Sequence, residues 1–154
     1  MQCVYGYDTP VGHIYITADD GALYSLGYSA PRKNLPQKEL SVHRTAYRQL
    51  SEYFSGRRKS FNIPLALQGT LFQKKVWNVL LDIPYGQTVS YQDVALAIGN
   101  KQACRAVGMA NNKNPIAIIV PCHRVISKNG QLTGYAGGLA VKEKLLQLEG
   151  AWKK

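Results

Sequence analysis

The chain has 154 residues, 45% hydrophobic and 18% charged, which suits one ordinary domain or two small ones and excludes a disordered polymer. It holds no apolar run of about 18 residues, so no membrane helix is expected; its N-terminus, MQCVYGYDTP, lacks a secretory signal pattern; and its three cysteines, Cys3, Cys104 and Cys122, are too sparse for a disulfide framework, which points to a reducing compartment such as the cytoplasm. The formal net charge of +10 falls mostly on the second half, where residues 70–154 hold eleven Lys/Arg against four Asp/Glu, a bias that suits a polyanionic partner and, equally, a surface tuned for solubility.

In chain order, the first third reads as strands. Cys3–Tyr7, His13–Thr17 and Ala22–Tyr28 are short, rich in Val, Ile and Tyr, and separated by Asp-Thr-Pro and Asp-Asp-Gly turns. A basic, Pro-punctuated loop (Pro31–Pro36) follows. Val42, Ala46, Leu50 and Phe54 then recur every four residues, predicting an amphipathic helix over Glu39–Phe54 that Gly56 stops. A last short strand is expected at Phe61–Ile63. Gln68-Gly69 is the expected boundary between a domain of residues 1–68 and one of residues 69–154. Beyond it the pattern turns helical. Thr70 with Gln73 forms a capping box opening a helix to Leu81, and Ser90 with Asp93 a second one opening Tyr91–Ile98. Gly99-Asn100 breaks the chain before a helix over Gln102–Ala110. Two short helices about a Gly-containing turn fit a helix-turn-helix, and also any pair of core helices. The run Pro115–Pro121, β-branched and fenced by prolines, predicts a buried extended segment. A Gly-rich loop, Gly134–Gly138, leads into a closing helix over Leu139–Leu148.

Cys122 leaves that apolar run beside His123 and Arg124. Positive or polarising neighbours favour the thiolate, the reactive form of cysteine, whereas a buried cysteine without them is structural. The flanking residues favour a reactive role for Cys122 and leave Cys3 and Cys104 structural. On an extended segment successive side chains diverge, so a Cys122–His123 contact needs a turn or a bridging water. A working histidine also needs an orienting carboxylate. Of the four acidic residues in this half, Asp82, Asp93, Glu143 and Glu149, Glu149 at the end of the final helix is best placed.

The octapeptide Ile119-Val120-Pro121-Cys122-His123-Arg124-Val125-Ile126 resembles the active-site signature of the O6-alkylguanine-DNA alkyltransferases, the methylated-DNA–protein-cysteine methyltransferases. Phe72–Trp77, Ile83–Gly86, Ser90-Tyr91, Arg105–Gly108, Asn114-Pro115 and Gly134–Gly138 resemble further blocks in family order, so the likeness covers residues 69–150 and, more loosely, Tyr53–Gly56. The resemblance implies an α+β fold: a small RNase H-like mixed sheet with a helix, then a winged-helix-like helical domain. It implies direct, irreversible, once-only transfer of an alkyl group from O6-alkylguanine to Cys122, and leaves activity on O4-alkylthymine open. In it His123 acts through a water polarised by Glu149, Asn114 ties the cysteine segment to the recognition helix, and Tyr91 and Tyr135 line the guanine pocket, with the Tyr91 hydroxyl donating to the base. The backbone at Val125 reads the exocyclic amine and the amide of Ala136 donates. Arg105 fills the gap left by the flipped nucleotide. Ala106 and Gly108 let the helix approach the minor groove of double-stranded DNA, and Arg124 joins the residues facing substrate and DNA. No cofactor and no membrane are implied, and a monomer acting in the cytoplasm, nucleoid or nucleus is expected.

Two positions depart from the family pattern. Ala136 stands where many members have a small hydroxyl residue, and Asn111 where some are apolar. Cys3, His13 and His43 fall short of the four ligands a structural zinc takes, so no metal is expected. A lesion-binding relative without the cysteine, a cysteine hydrolase using Cys122 and His123, and a plain DNA-binding regulator are the rival readings.

Overall fold

The computed structural model describes Met1–Trp152. The chain divides into two compact units, one of Met1–Gln68 and one beginning at Gly69.

In the first unit β1 (Cys3–Thr9), β2 (Gly12–Ala18) and β3 (Leu23–Gly27) form an antiparallel sheet in that order. Side-chain alternation puts Tyr5, Tyr7, Ile14, Ile16 and Leu26 on one face. Helix α1 (Ser41–Phe54) packs on β1 and β2, burying Ala46, Leu50 and Tyr53 and stacking Tyr47 on Tyr7 at 4.1 Å between ring centroids. The helix starts later than Glu39 because Leu40 is its cap, with the Leu40 N–H donating to His43 Nδ1 at 3.0 Å. His43 Nε2 lies 3.2 Å from the Cys3 carbonyl and 3.1 Å from that of Ile16, so both ring nitrogens are engaged inside the core.

The expected strand at Phe61–Ile63 does not form. Gln49 of α1 captures both backbone groups of Asn62, its amide donating to the Asn62 carbonyl at 3.1 Å and its oxygen accepting from the Asn62 N–H at 2.9 Å. Groups so satisfied have nothing left for a ladder. Pairing comes just beyond, where Leu23 exchanges 2.9 Å bonds with Pro64 and Ala66. Parallel bridges Leu23–Leu65 and Val4–Gln37 make the sheet mixed at its edges.

In the second unit α2 (Leu71–Leu81), α3 (Tyr91–Ala97), α4 (Cys104–Asn112) and α5 (Leu139–Leu148) surround an apolar centre that includes Trp77, Leu80, Val94, Val107 and Leu145. Both capping boxes are formed: Thr70 accepts from the Gln73 N–H and Ser90 from that of Asp93, each at 3.0 Å. Trp77 Nε1 donates to the Ala110 carbonyl at 2.8 Å, tying α2 to α4. The two short helices expected about a Gly-containing turn are α3 and α4, with the chain turning at Gly99 with φ 79°. A short parallel pair, β4 (Val89–Ser90) with β5 (Val125–Ile126), anchors the residues just after Cys122.

The run Pro115–Pro121 is buried as expected but it is not extended. Val120 N–H bonds back to the Ile116 carbonyl at 3.1 Å and Ile119 N–H to that of Ala117 at 2.7 Å, with Ile118 at φ 70°. Bonding back on itself is how this segment satisfies these backbone groups while burying its side chains. The strain of a β-branched residue in the left-handed region, about 1–3 kcal/mol, is offset by burying Ile116, Ile118 and Val120.

Candidate active site around Cys122

Asn114, just beyond α4, fixes the coil leading to Cys122: its amide donates to the Val120 carbonyl at 2.8 Å and its oxygen accepts from the Ile116 N–H at 3.0 Å. Cys122 then opens a one-turn 3₁₀ segment, Cys122–Arg124. Its thiol is buried, and burial pushes its pKa up, opposed by a hydrogen bond with Asn114 and by the charge of Lys142.

His123 is fully buried. Its Nε2 lies 2.7 Å from Glu149 Oε2, and burial outweighs that carboxylate in moving its pKa down, so the ring is neutral with Nε2–H donating. Nδ1 then presents a lone pair, and it has no hydrogen-bond partner among the described residues. Glu149 caps α5 and also accepts from Arg124 Nε at 2.8 Å, Arg124 Nη2 at 3.1 Å and the Gly86 N–H at 3.3 Å. Arg124, expected among the DNA-facing residues, is buried instead. Its third nitrogen donates to the Ile83 carbonyl at 2.6 Å, and it neutralises Glu149 rather than meeting a phosphate.

Beside Cys122 lies a cavity of about 10 Å³ lined by Asn111, Asn112, Asn114, Ala117 and the loop Gly134–Ala136. It has room for about one water. Tyr135 and Ala136 thus line the same cavity as Cys122, and Asn111 donates to the Cys122 carbonyl at 3.4 Å. Tyr91 is not among the lining residues; its hydroxyl lies 2.9 Å from that of Thr133. The loop rests on α4 at Asn112, whose Oδ1 stands 3.0 Å from where a Gly134 Cβ would be. On α4, Arg105 and Ala106 are exposed and Gly108 half-buried, forming one outward face while Val107 points into the core.

Residues 71–151 match the family model described as 6-O-methylguanine DNA methyltransferase, DNA binding domain, and residues 4–67 that of its ribonuclease-like domain. The chain belongs to the 6-O-methylguanine DNA methyltransferase family. The α+β architecture is therefore the family's, with the ribonuclease-like region first. Methylated-DNA--protein-cysteine methyltransferase of Methanosarcina acetivorans is 51% identical over 150 residues, 94% of this chain and 96% of the relative. The constitutive Bacillus subtilis protein of that name is 44% identical over 151 residues, 92% of each. The crystal structure of Mycobacterium tuberculosis OGT in complex with DNA is 43% identical, with a TM-score of 0.91 over 96% of this chain and 92% of that one.

Within this methyltransferase fold the sequence reading missed a buried cation beside the site. Lys142 of α5 is fully buried, and its ammonium donates to the Val125 carbonyl at 2.7 Å and the Thr133 carbonyl at 2.6 Å, with its pKa pushed down by burial to about 8. The Val125 carbonyl expected to read a base is thus already shared. A signal existed: Lys142 stands three, four and seven residues before Leu145, Leu146 and Glu149, on the helix face that is buried.

Proposed function

We propose that this chain repairs DNA by moving an alkyl group from O6-alkylguanine onto Cys122, once per molecule. The observation that carries the reading is a buried thiol followed by a neutral histidine whose far nitrogen is pinned by a buried carboxylate. The relatives' shared name and the DNA bound to the M. tuberculosis protein support it.

The thiol is protonated at rest and must lose its proton as it attacks. His123 Nδ1 has the lone pair to take that proton through a bridging water, and Glu149 stabilises the imidazolium that forms. Sulfur then bonds to the alkyl carbon as the carbon–O6 bond breaks, and the electron pair leaves with guanine. The Tyr91 hydroxyl protonates the departing base, and the thiol proton held by His123 replaces the tyrosine's. No cofactor enters this balance. The lesion is out of reach inside a duplex, so the nucleotide flips, at a cost of a few kcal/mol. Helix α4 lies in the minor groove, with Arg105 filling the gap and Ala106 and Gly108 allowing close approach. Tyr135, the Ala136 amide and the Val125 carbonyl receive the base. A cavity of about 10 Å³ admits no purine, so the loop Gly134–Ala136 moves off Asn112 to let it in. The same pocket takes O4-alkylthymine, whose reacting group has the same aryl-ether character.

The test is label transfer from duplex carrying O6-[³H]methylguanine. The native chain takes up label and Cys122→Ser does not, because an alcohol is far less acidic than a thiol. Label on Cys122→Ser would refute the assignment.

A further inference from the structure

We propose that Thr133 is a positioning residue for the transfer step, its hydroxyl holding the Tyr91 phenol ready to donate to the departing base. This rests on the alkyl-transfer reading and on the role it gives Tyr91. The Tyr91 oxygen lies 2.9 Å from Thr133 Oγ1 and 3.5 Å from the Thr133 carbonyl, while its ring edge lies 3.9 Å from where a Cβ on Gly108 would stand. The phenol therefore sits between α4 and the segment that leads into the pocket loop. Thr133 itself is held from behind, since the buried Lys142 ammonium grips its carbonyl at 2.6 Å and, at 2.7 Å, the carbonyl of Val125 three residues after Cys122. One ammonium thus fixes the segment carrying the Thr133 hydroxyl relative to the segment carrying the thiol.

The donor order follows from the chemistry. At rest either hydroxyl can donate. When Tyr91 gives its proton to guanine, its oxygen gains negative charge and can only accept, and a threonine hydroxyl at 2.9 Å is free to rotate and donate to it. In the free protein water competes for this exposed bond. A flipped base covers it, and a hydrogen bond to a developing charge that forms only then assists the transition state more than the bound state. The proton lost by Tyr91 goes to guanine and is replaced by the thiol proton held on His123, so Thr133 itself loses nothing.

The experiment measures single-turnover transfer rate and DNA affinity with duplex carrying one O6-[³H]methylguanine, for the full-length native chain, Thr133→Val, Thr133→Ser, Tyr91→Phe and the Thr133→Val/Tyr91→Phe double variant. Thr133→Val should transfer about tenfold more slowly with DNA affinity unchanged. Thr133→Ser should recover the native rate. In the Tyr91→Phe background the valine should add no further loss, since the hydroxyl it removes has nothing left to hold. A native rate for Thr133→Val, a serine variant as slow as the valine one, or full additivity in the double variant would each overturn the proposal while leaving the alkyl-transfer reading intact. Absence of label on the native Cys122 would instead overturn that reading, and this one with it.

Discussion

A carboxylate taken out of water costs several kcal/mol unless its lone pairs are filled, and those of Glu149 accept from His123, from two nitrogens of Arg124 and from the Gly86 amide. Arg124 balances the charge of Glu149, so the carboxylate need not draw a proton onto His123, and burial keeps that imidazole neutral. The protonation state needed for catalysis is therefore also the one needed for folding. Because the folded pKa of His123 is depressed below the ordinary 6.5, the folded state binds fewer protons than the unfolded one in mild acid. Stability from this group is present above about pH 6.5 and is lost as pH falls from there through the folded value. Transfer should follow the same direction, with an acid limb lying below the ordinary histidine range because the base must be unprotonated. Single-turnover rates and urea midpoints measured between about pH 5 and 8 check both. A transfer rate that rises on acidification would remove His123 as the base.

At the scale of elements, α2 depends on a glycine outside it. A Cβ on Gly69 would lie 2.6 Å from the buried Trp77 ring and 2.7 Å from Gln73 Oε1, the atom that accepts from Thr70 in the capping box. Gly69→Ala should therefore push on the cap and on the indole that ties α2 to α4, destabilising the chain by about 1–3 kcal/mol; urea unfolding measures this, and an unchanged midpoint would mean the ring has room to yield. Both capping boxes were legible in the sequence because a cap is local: Thr70 and Gln73, or Ser90 and Asp93, need only three residues of chain. What the sequence did not yield depends on contacts distant in the chain. Asn62 leaves the sheet because Gln49, thirteen residues earlier, takes its backbone. Residues 115–121 bond back on themselves around Ile118 at φ 70°, which no periodicity records. The candidate site divides the same way. Cys122 and His123 stand in one octapeptide, Asn114 in a separate block eight residues before the cysteine, and Glu149 stands out among few acids. Arg124 is expected to face DNA and Lys142 drew no reading, although the fold buries both.

For the whole molecule, net charge overstates what DNA can meet. Of the eleven Lys/Arg in residues 70–154, Arg124 and Lys142 are buried and spent on internal partners. Seven stand exposed among the described residues: Lys74, Lys75, Lys101, Arg105, Lys113, Lys128 and Lys144. Seven phosphate contacts would give log affinity against log salt a slope of about −6; a clearly negative slope is expected from a KCl series on undamaged duplex, and a flat one would remove the electrostatic case for DNA. The packing around the site also sets what happens after reaction. A thioether on Cys122 has no electrophilic carbonyl for water to attack, so nothing regenerates the thiol. Label should stop at one alkyl group per chain, with none on Cys3 or Cys104. The added methyl enters a site whose adjoining cavity is about 10 Å³, between the coil of residues 115–121 and α4. Overpacking a core typically costs about 1–3 kcal/mol, which for a chain of this size lowers Tm by a few degrees per kcal/mol, ~2–4 °C. The methylated protein should melt below the free one and a benzyl adduct lower still, because the ring cannot fit without displacing Gly134–Ala136. Intact-mass spectrometry paired with calorimetry reads both outcomes on one sample. Repeated turnover would sink the once-only transfer, and an unchanged or raised Tm would mean that the loop moves aside at no cost.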